Sequence, residues 1–345
     1  MIHRCGKTAG VLLALVLTLL AGVASAQDKK IVLRVADYLP ANHLMSEPLV
    51  KFWMNAVTKG TGGMVQFEYY PGEQMGKAKD LLSLALSGVT DVAMVNPSYV
   101  SDKLPLSGVV ELPGGFGTAC AGTLAFLRLT KQGGVLATKE HAPLGFRSVF
   151  LIVLPPYQII SRHKLESMKS FEGVKIQTTG GAKEIMLRKL KAIPVRIPAP
   201  ETFESLSRGT IDGSVLPTIS ILSYNLSEPA KFITIGENFG AGTGIFGISE
   251  ARWKKLPESV QKVMLEAGEA ASRNMCTVAD KVVEADYEKL KQRGVTVTRF
   301  PSADHKEIAA LAATVGAEWA DALDKRGKPG SEVLKAFMEA SAAVR

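Results

Sequence analysis

The chain has 345 residues, 46% of them apolar, and a formal charge of +8. That length allows two domains of ordinary size. Lysine and arginine are scattered among aspartate and glutamate with no dense basic run, which argues against nucleic acid and is compatible with a mild preference for anionic solutes.

Residues 1–26 read as an export signal. Arg4 and Lys7 form a positive start, Val11 to Leu20 is an apolar run too short to span a bilayer, and Ala24-Ser25-Ala26 is a small-residue cleavage site. Cleavage after Ala26 removes those two charges and leaves a mature chain of +6. Cys5 precedes the apolar run, so it is not the lipid-bearing cysteine of a lipoprotein. No later stretch reaches membrane-span length, so the mature chain is expected to be soluble. Its cysteines are Cys120 and Cys276. Two cysteines in an oxidising compartment could pair, but with Cys276 in a helical pattern and Cys120 in a distant Gly/Ala loop they read rather as separately buried thiols.

Ile31 to Ala36 reads as an opening strand, followed by the loop Asp37 to His43. Pro48 to Val57 is an amphipathic helix and Met64 to Tyr70 an alternating strand. Leu81 to Leu86 is helical, Ser87-Gly88 stops it, and Val92 to Val95 is a buried strand ending at Asn96-Pro97. Strands alternating with helices predict a mainly parallel sheet with ligands beyond the carboxyl ends of its strands. Tyr38, Asn42, His43, Asn96 and Ser98 are therefore candidate ligand contacts. Phe116, in the loop Leu112 to Gly117, is either a core anchor or a lid. Leu144 to Leu154 is a long apolar run, interrupted by Arg147 and Ser148 and broken by Pro155-Pro156. It fits a strand shared between two lobes.

Tyr157 to Ile160, Val174 to Gln177 and Val195 to Ile197 are strands of a second lobe, with a helix from Ala182 to Leu190. The stretch Pro198 to Pro217 repeats the plan of the first lobe. Phe203 and Leu206 share a helical face, Gly209 stops the helix, and Asp212 follows at the spacing by which Asp91 follows Gly88. Val215-Leu216 is then a buried strand. Helix, Gly, Asp, strand and Pro in one order, twice, points to two similar lobes facing each other rather than two unrelated turns. Gly244 to Ser249 returns to the first lobe. Pro257 to Arg293 carries one helical pattern stopped by Gly294, Val295 to Phe300 is a strand, and two helices near Lys306–Leu323 and Glu332–Ala342 close the chain.

Reactive constellations are absent. No H-E-x-x-H, C-x-x-C or G-x-S-x-G occurs, and the histidines lack metal-ligand spacing. Asp212, between helix and strand, reads as a turn cap rather than an acid catalyst. Gly242-Thr243-Gly244-Ile245-Phe246-Gly247 matches G-x-G-x-x-G but runs into a strand, so no helix N-terminus stands behind it to hold a pyrophosphate. No cofactor or metal is expected.

Together, F-E-G-V-K-I from Phe171, E-T-F-x-x-L-x-x-G-x-x-D-G from Glu201, Y-P-G-E-Q-M-G from Tyr70, S-G-V-T-D-V-A from Ser87 and W-K-K-L-P from Trp253 make the chain resemble the solute-binding subunit of tripartite ATP-independent periplasmic (TRAP) transporters. The resemblance covers essentially the whole mature chain. It implies a monomeric, periplasmic α/β protein with a two-lobed periplasmic-binding-protein-like fold, a multi-strand hinge and a long lobe-spanning helix. Lobe I would comprise residues 27–154 and 243–282, and lobe II residues 155–242 and 283–345. The implied activity is capture of a small organic solute, usually an acid, by hinge closure and delivery to an ion-gradient-driven membrane permease. Gln177 stands where the family usually has a carboxylate-binding arginine, and Leu216 where it often has asparagine. Either Arg147 supplies the cation, or Tyr157, Gln158, Gln177 and Thr178 hold the ligand by hydrogen bonds with Leu216 adding apolar contact. The second arrangement suits an aromatic or hydroxylated acid or an uncharged solute. A receptor for a sensor kinase or another transporter class, or a secreted enzyme on the same scaffold, are the alternatives.

Overall fold

A computed structural model describes residues 30–344; the expected export signal lies outside them. The strands sort into two sheets. The first has the order β2-β1-β3-β10-β4, built from β1 Ile31–Ala36, β2 Val65–Tyr70, β3 Val92–Val95, β4 Phe146–Val153 and β10 Thr243–Ser249. The second has the order β11-β9-β5-β8-β6-β7. It is built from β5 Gln158–Ser161, β6 Lys175–Thr178, β7 Ile193–Arg196, β8 Gly213–Leu216, β9 Phe232–Thr234 and β11 Thr296–Thr298. The expected α/β architecture of two lobes is what the chain adopts.

The twin motif performs the same job in both lobes. Gly88 and Gly209 end their helices at φ 79° and 69°, a region that a side chain opposes. Asp91 then exchanges bonds with the neighbouring strand: its backbone N–H donates to Arg34 O (3.0 Å) and its Oδ2 accepts from Arg34 N (2.9 Å). Asp212 does the same with Lys175, at 2.8 and 3.0 Å. Each carboxylate extends a parallel strand pair by one bond, a structural role.

The run Leu144 to Leu154 was expected to be shared between lobes. It belongs to the first sheet alone, as the edge strand β4 paired with β10. The crossing is made just beyond it, where Leu154 N donates to Gly242 O (2.9 Å) and Tyr157 N to Gly240 O (2.8 Å). Two crossing segments bonded to each other form the hinge. Gly242 is required there: a Cβ on it would overlap the hydroxyl of buried Tyr157. The glycine-rich stretch is thus a close-packed crossing, not a nucleotide loop.

The long helix spans Glu258–Gln292, 35 residues. It packs on β4 and on helices Phe52–Gly60 and Ala119–Thr130 of the first lobe, and on helix Thr218–Ser223 and β11 of the second. Trp53 Nε1 donates to Met264 O (3.1 Å), anchoring it to the first lobe. The C-terminal helix Gly330–Ala342 packs on Ala119–Thr130, and Phe337 meets Phe116 edge-on at 6.3 Å. The chain therefore ends against the first lobe, where the sequence-based boundary placed it in the second.

One further feature corrects the sequence reading and a second adds to it. Cys120 is not in a loop; it lies in the first turn of helix Ala119–Thr130, whose N-terminal amides of Ala119 and Cys120 donate to Asp280 (2.6 and 3.0 Å). That clasp brings it to the long helix, and Cys120 and Cys276 form a disulfide across 156 residues of sequence. The second feature is a charge pair at the hinge. Lys183, on helix Ala182–Lys189 of the second lobe, donates to Glu111 Oε2 of the first lobe (2.8 Å) and to Ala241 O (2.9 Å). Both side chains are fully buried, and Ser98 Oγ adds a hydrogen bond to the same carboxylate oxygen.

Removing the disulfide by Cys120→Ala with Cys276→Ala should lower unfolding stability by about 2–5 kcal/mol, since its loop is long; an unchanged denaturation midpoint would contradict a formed bond. Lys183→Met should cost about 3–5 kcal/mol by leaving a buried carboxylate without its cation. Adding Glu111→Leu should recover most of that loss, as read by the same denaturation curves.

Candidate functional site

The two lobes face each other across a cleft at the carboxyl ends of their parallel strands, where ligands sit in open α/β sheets. The first lobe contributes Tyr38 and His43 from the loop after β1, and Asn96 and Tyr99 from the turn after β3. The second contributes Tyr157 from the crossing segment, Thr179 after β6, Leu216 at the end of β8, and Tyr224 after helix Thr218–Ser223. Four of the chain's seven tyrosines line this one cleft, so its walls are aromatic with polar tips. The space left is about 20 Å³, room for one water. A small organic solute thus enters only if the lobes part.

Contacts between the lobes already bridge the cleft. Ala199 N donates to Tyr99 Oη (3.0 Å), and the rings of His43 and Tyr224 stand 6.2 Å apart. Tyr38 packs edge-on against Tyr99 at 5.4 Å. Burial pushes the hydroxyls of Tyr38, Tyr99, Tyr157 and Tyr224 up from the ordinary phenol range, so they stay neutral donors. Burial alone holds His43 down, to about 4. The loop carrying Tyr38 is pinned by Asp37, which accepts from Leu39 N (2.9 Å) and from Tyr69 Oη (2.6 Å). Burial outweighs those bonds and pushes its carboxyl up to about 6.

Of the residues singled out from sequence, Tyr38, Asn96, Tyr157 and Leu216 line the cleft, as does His43. Asn42 is exposed beside it. Ser98 is turned to Glu111. Gln177 is fully engaged within its lobe: its amide donates to Ile197 O and its oxygen accepts from Ser214, both at 2.6 Å. Gln158 is held by Glu237 O and Thr234 (2.5 and 2.9 Å), and Thr178 Oγ1 accepts from Gly180 N. Phe116 is a core anchor against Phe337, not a lid.

Arg147 is elsewhere. It pairs with Glu250 at 2.8 Å and stacks over Trp253 at 5.1 Å, on a larger cavity of about 850 Å³ on one side of the first lobe. It interrupts its apolar strand because that position faces this outer cavity, where a local carboxylate balances it. The roomier cavity has walls from the first lobe, the long helix and the chain end only. The cleft, walled by both lobes, is the place where a solute would couple to closure.

Sequence reasoning missed Tyr99, Thr179 and Tyr224. Thr179 immediately follows the end of β6, so the strand-end rule reaches it. Tyr99 lies one position beyond the Ser98 that the rule named. Tyr224 had no local signal, because it arrives at the cleft on a short helix after Pro217.

Asp37 supplies a pH test. A carboxyl whose folded value is raised stabilises the fold at low pH and loses that contribution as pH rises through about 6. Asp37→Asn should leave stability near pH 4 unchanged and raise it by about 1–3 kcal/mol at pH 8 relative to the parent; equal denaturation curves at both pH values would exclude the raised carboxyl.

Comparison with known proteins agrees with this geometry. The family model described as bacterial extracellular solute-binding protein, family 7, matches residues 35–322. The outer membrane transporter protein TsaT of Comamonas testosteroni is 24% identical over 327 residues, covering 93% of this chain and 94% of the relative. A TRAP solute-binding protein from Rhodoferax ferrireducens, solved with copurified benzoate, superposes with a TM-score of 0.83 at 24% identity. That match covers 91% of this chain and 98% of that one. A TRAP periplasmic solute-binding protein from Bordetella bronchiseptica, solved with (R)- and (S)-mandelate, gives 0.82 at 21% identity, covering 91% and 100%. With two lobes hinged about a cleft and a family match over most of its length, the chain belongs to the bacterial extracellular solute-binding proteins of family 7.

Proposed function

We propose that this chain is the monomeric periplasmic receptor of a TRAP uptake system, exported by residues 1–26, and that its solute is a small aromatic or hydroxylated organic acid. The observation that carries this reading is the tyrosine-walled cleft between the lobes. Edge and face contacts with aromatic walls favour a ring, at about 0.5–1.5 kcal/mol per pair beyond area burial. Benzoate and mandelate in the similar structures support the same class.

The mechanism is closure about the paired crossing segments. A solute held by Tyr38, Asn96 and Tyr99 on one side and by Tyr157, Leu216 and Tyr224 on the other stabilises the closed lobes, because only that state offers both walls. The closed surface is what the permease would recognise. The long helix, packed on both lobes, limits the motion to a rotation about the hinge. Among the described residues no helix is long and apolar enough to cross a membrane. Among them, too, no group of three or more histidine, cysteine or carboxylate side chains is placed to hold a metal ion.

Screening the mature protein against aromatic acids, aliphatic acids, sugars and amino acids by thermal shift should give stabilisation by aromatic or hydroxylated acids of several degrees at ligand well above Kd. Bound solute should be recovered unchanged; turnover would favour an enzyme. Tyr157→Ala should weaken binding tenfold or more in titration calorimetry. Stabilisation by sugars or amino acids alone would overturn the assigned class.

A further inference from the structure

We infer that the solute's polar head is gripped by three uncharged donors, His43 Nε2–H, Thr179 Oγ1 and Tyr224 Oη, so that the site recognises a hydrogen-bond acceptor rather than a negative charge. This rests on the aromatic reading above and specifies its head-group chemistry. These three atoms are buried, find no hydrogen-bond partner among the described residues, and belong to residues lining the one cleft. Buried polar groups are nearly always paired, so three orphans converging on one cavity mark where a ligand's acceptor belongs. Met45 N donates to His43 Nδ1 at 3.2 Å, which leaves the proton on Nε2 and makes it a donor.

No lysine or arginine lines the cleft among the described residues. Gln177, the polar residue near the end of β6, is consumed by Ile197 and Ser214. The nearest buried cation, Lys183, lies beneath Tyr157 at 5.6 Å and is neutralised by Glu111. His43 is itself kept neutral by burial. Because His43 stands on one lobe and Thr179 and Tyr224 on the other, a single head group bonded to all three ties the lobes shut. A carboxylate, a carboxamide or a hydroxyl can each fill that role; an arginine-built site would demand the carboxylate.

The test uses isosteric pairs, benzoate with benzamide and mandelate with mandelamide, titrated into the mature protein at pH 7.5. The expected result is that at least one pair binds with its members within about tenfold of each other. Thr179→Val and Tyr224→Phe should each weaken that binding tenfold or more while the melting temperature holds or rises, because each removes an orphaned buried hydroxyl. His43→Gln, which keeps a donor, should retain more affinity than His43→Leu. Carboxylates bound a hundredfold or more tighter than their amides would overturn the inference and leave the aromatic reading standing. Binding unaffected in both hydroxyl variants would overturn it as well. No binding of any aromatic member, with stabilisation by another solute class, would remove the reading on which it rests.

Discussion

The fold turns on one buried charge pair. Glu111 and Lys183 come from opposite lobes and meet beside the segment that joins them, with Ala241 O completing the ammonium's contacts. Neither charge is open to water. Such a pair adds little net stability over a packed apolar alternative, yet breaking it is costly. Its consequence is geometric. It prescribes which face of helix Ala182–Lys189 meets the first lobe, and hence where Thr179, just before that helix, enters the cleft. Tyr157 lies over the ammonium and against Gly242, so the same pair seats one aromatic wall.

Around that pin the two lobes are built alike. In each, a helix is stopped by a glycine and an aspartate clasps the adjoining parallel strand before a short buried strand leads to the cleft. Local rigidity of this kind suits a receptor that moves as two bodies. The disulfide from helix Ala119–Thr130 to the long helix stiffens the first lobe. The two bonded crossing segments and the long helix leave rotation about the hinge as the soft direction. The cleft's tyrosines come from both lobes, so only the closed arrangement brings them together.

Much of this was legible in the sequence because its signals are local. The apolar stripe of Val260, Met264, Ala267 and Ala271 in the long helix faces inward as its period requires. The strand-end rule reached Tyr38, His43 and Asn96, and the glycine-rich run was recognised as strand because no helix follows it directly. The readings that changed depend on partners distant in sequence. Arg147 reads as a ligand cation because an unpaired charge in an apolar run is costly, but Glu250, the first residue of the short helix after the neighbouring β10, pairs with it. Gln177 looked free to bind solute until Ser214 and Ile197 took both ends of its amide. Glu111, a lone carboxylate after Val109-Val110, is the one local sign of the buried pair in the sequence.

By itself, then, the sequence determined the repeated α/β lobes, the long helix and the solute-binding family, all set by periodicity, turn chemistry and short motifs that neighbours along the chain enforce. Only the tertiary structure decided that Cys120 meets Cys276, that the last helix returns to the first lobe, and that His43, Thr179 and Tyr224 converge with their donors unpaired. Those outcomes depend on packing between segments far apart in the chain, and no local pattern encodes which buried polar atom is left for a ligand to satisfy.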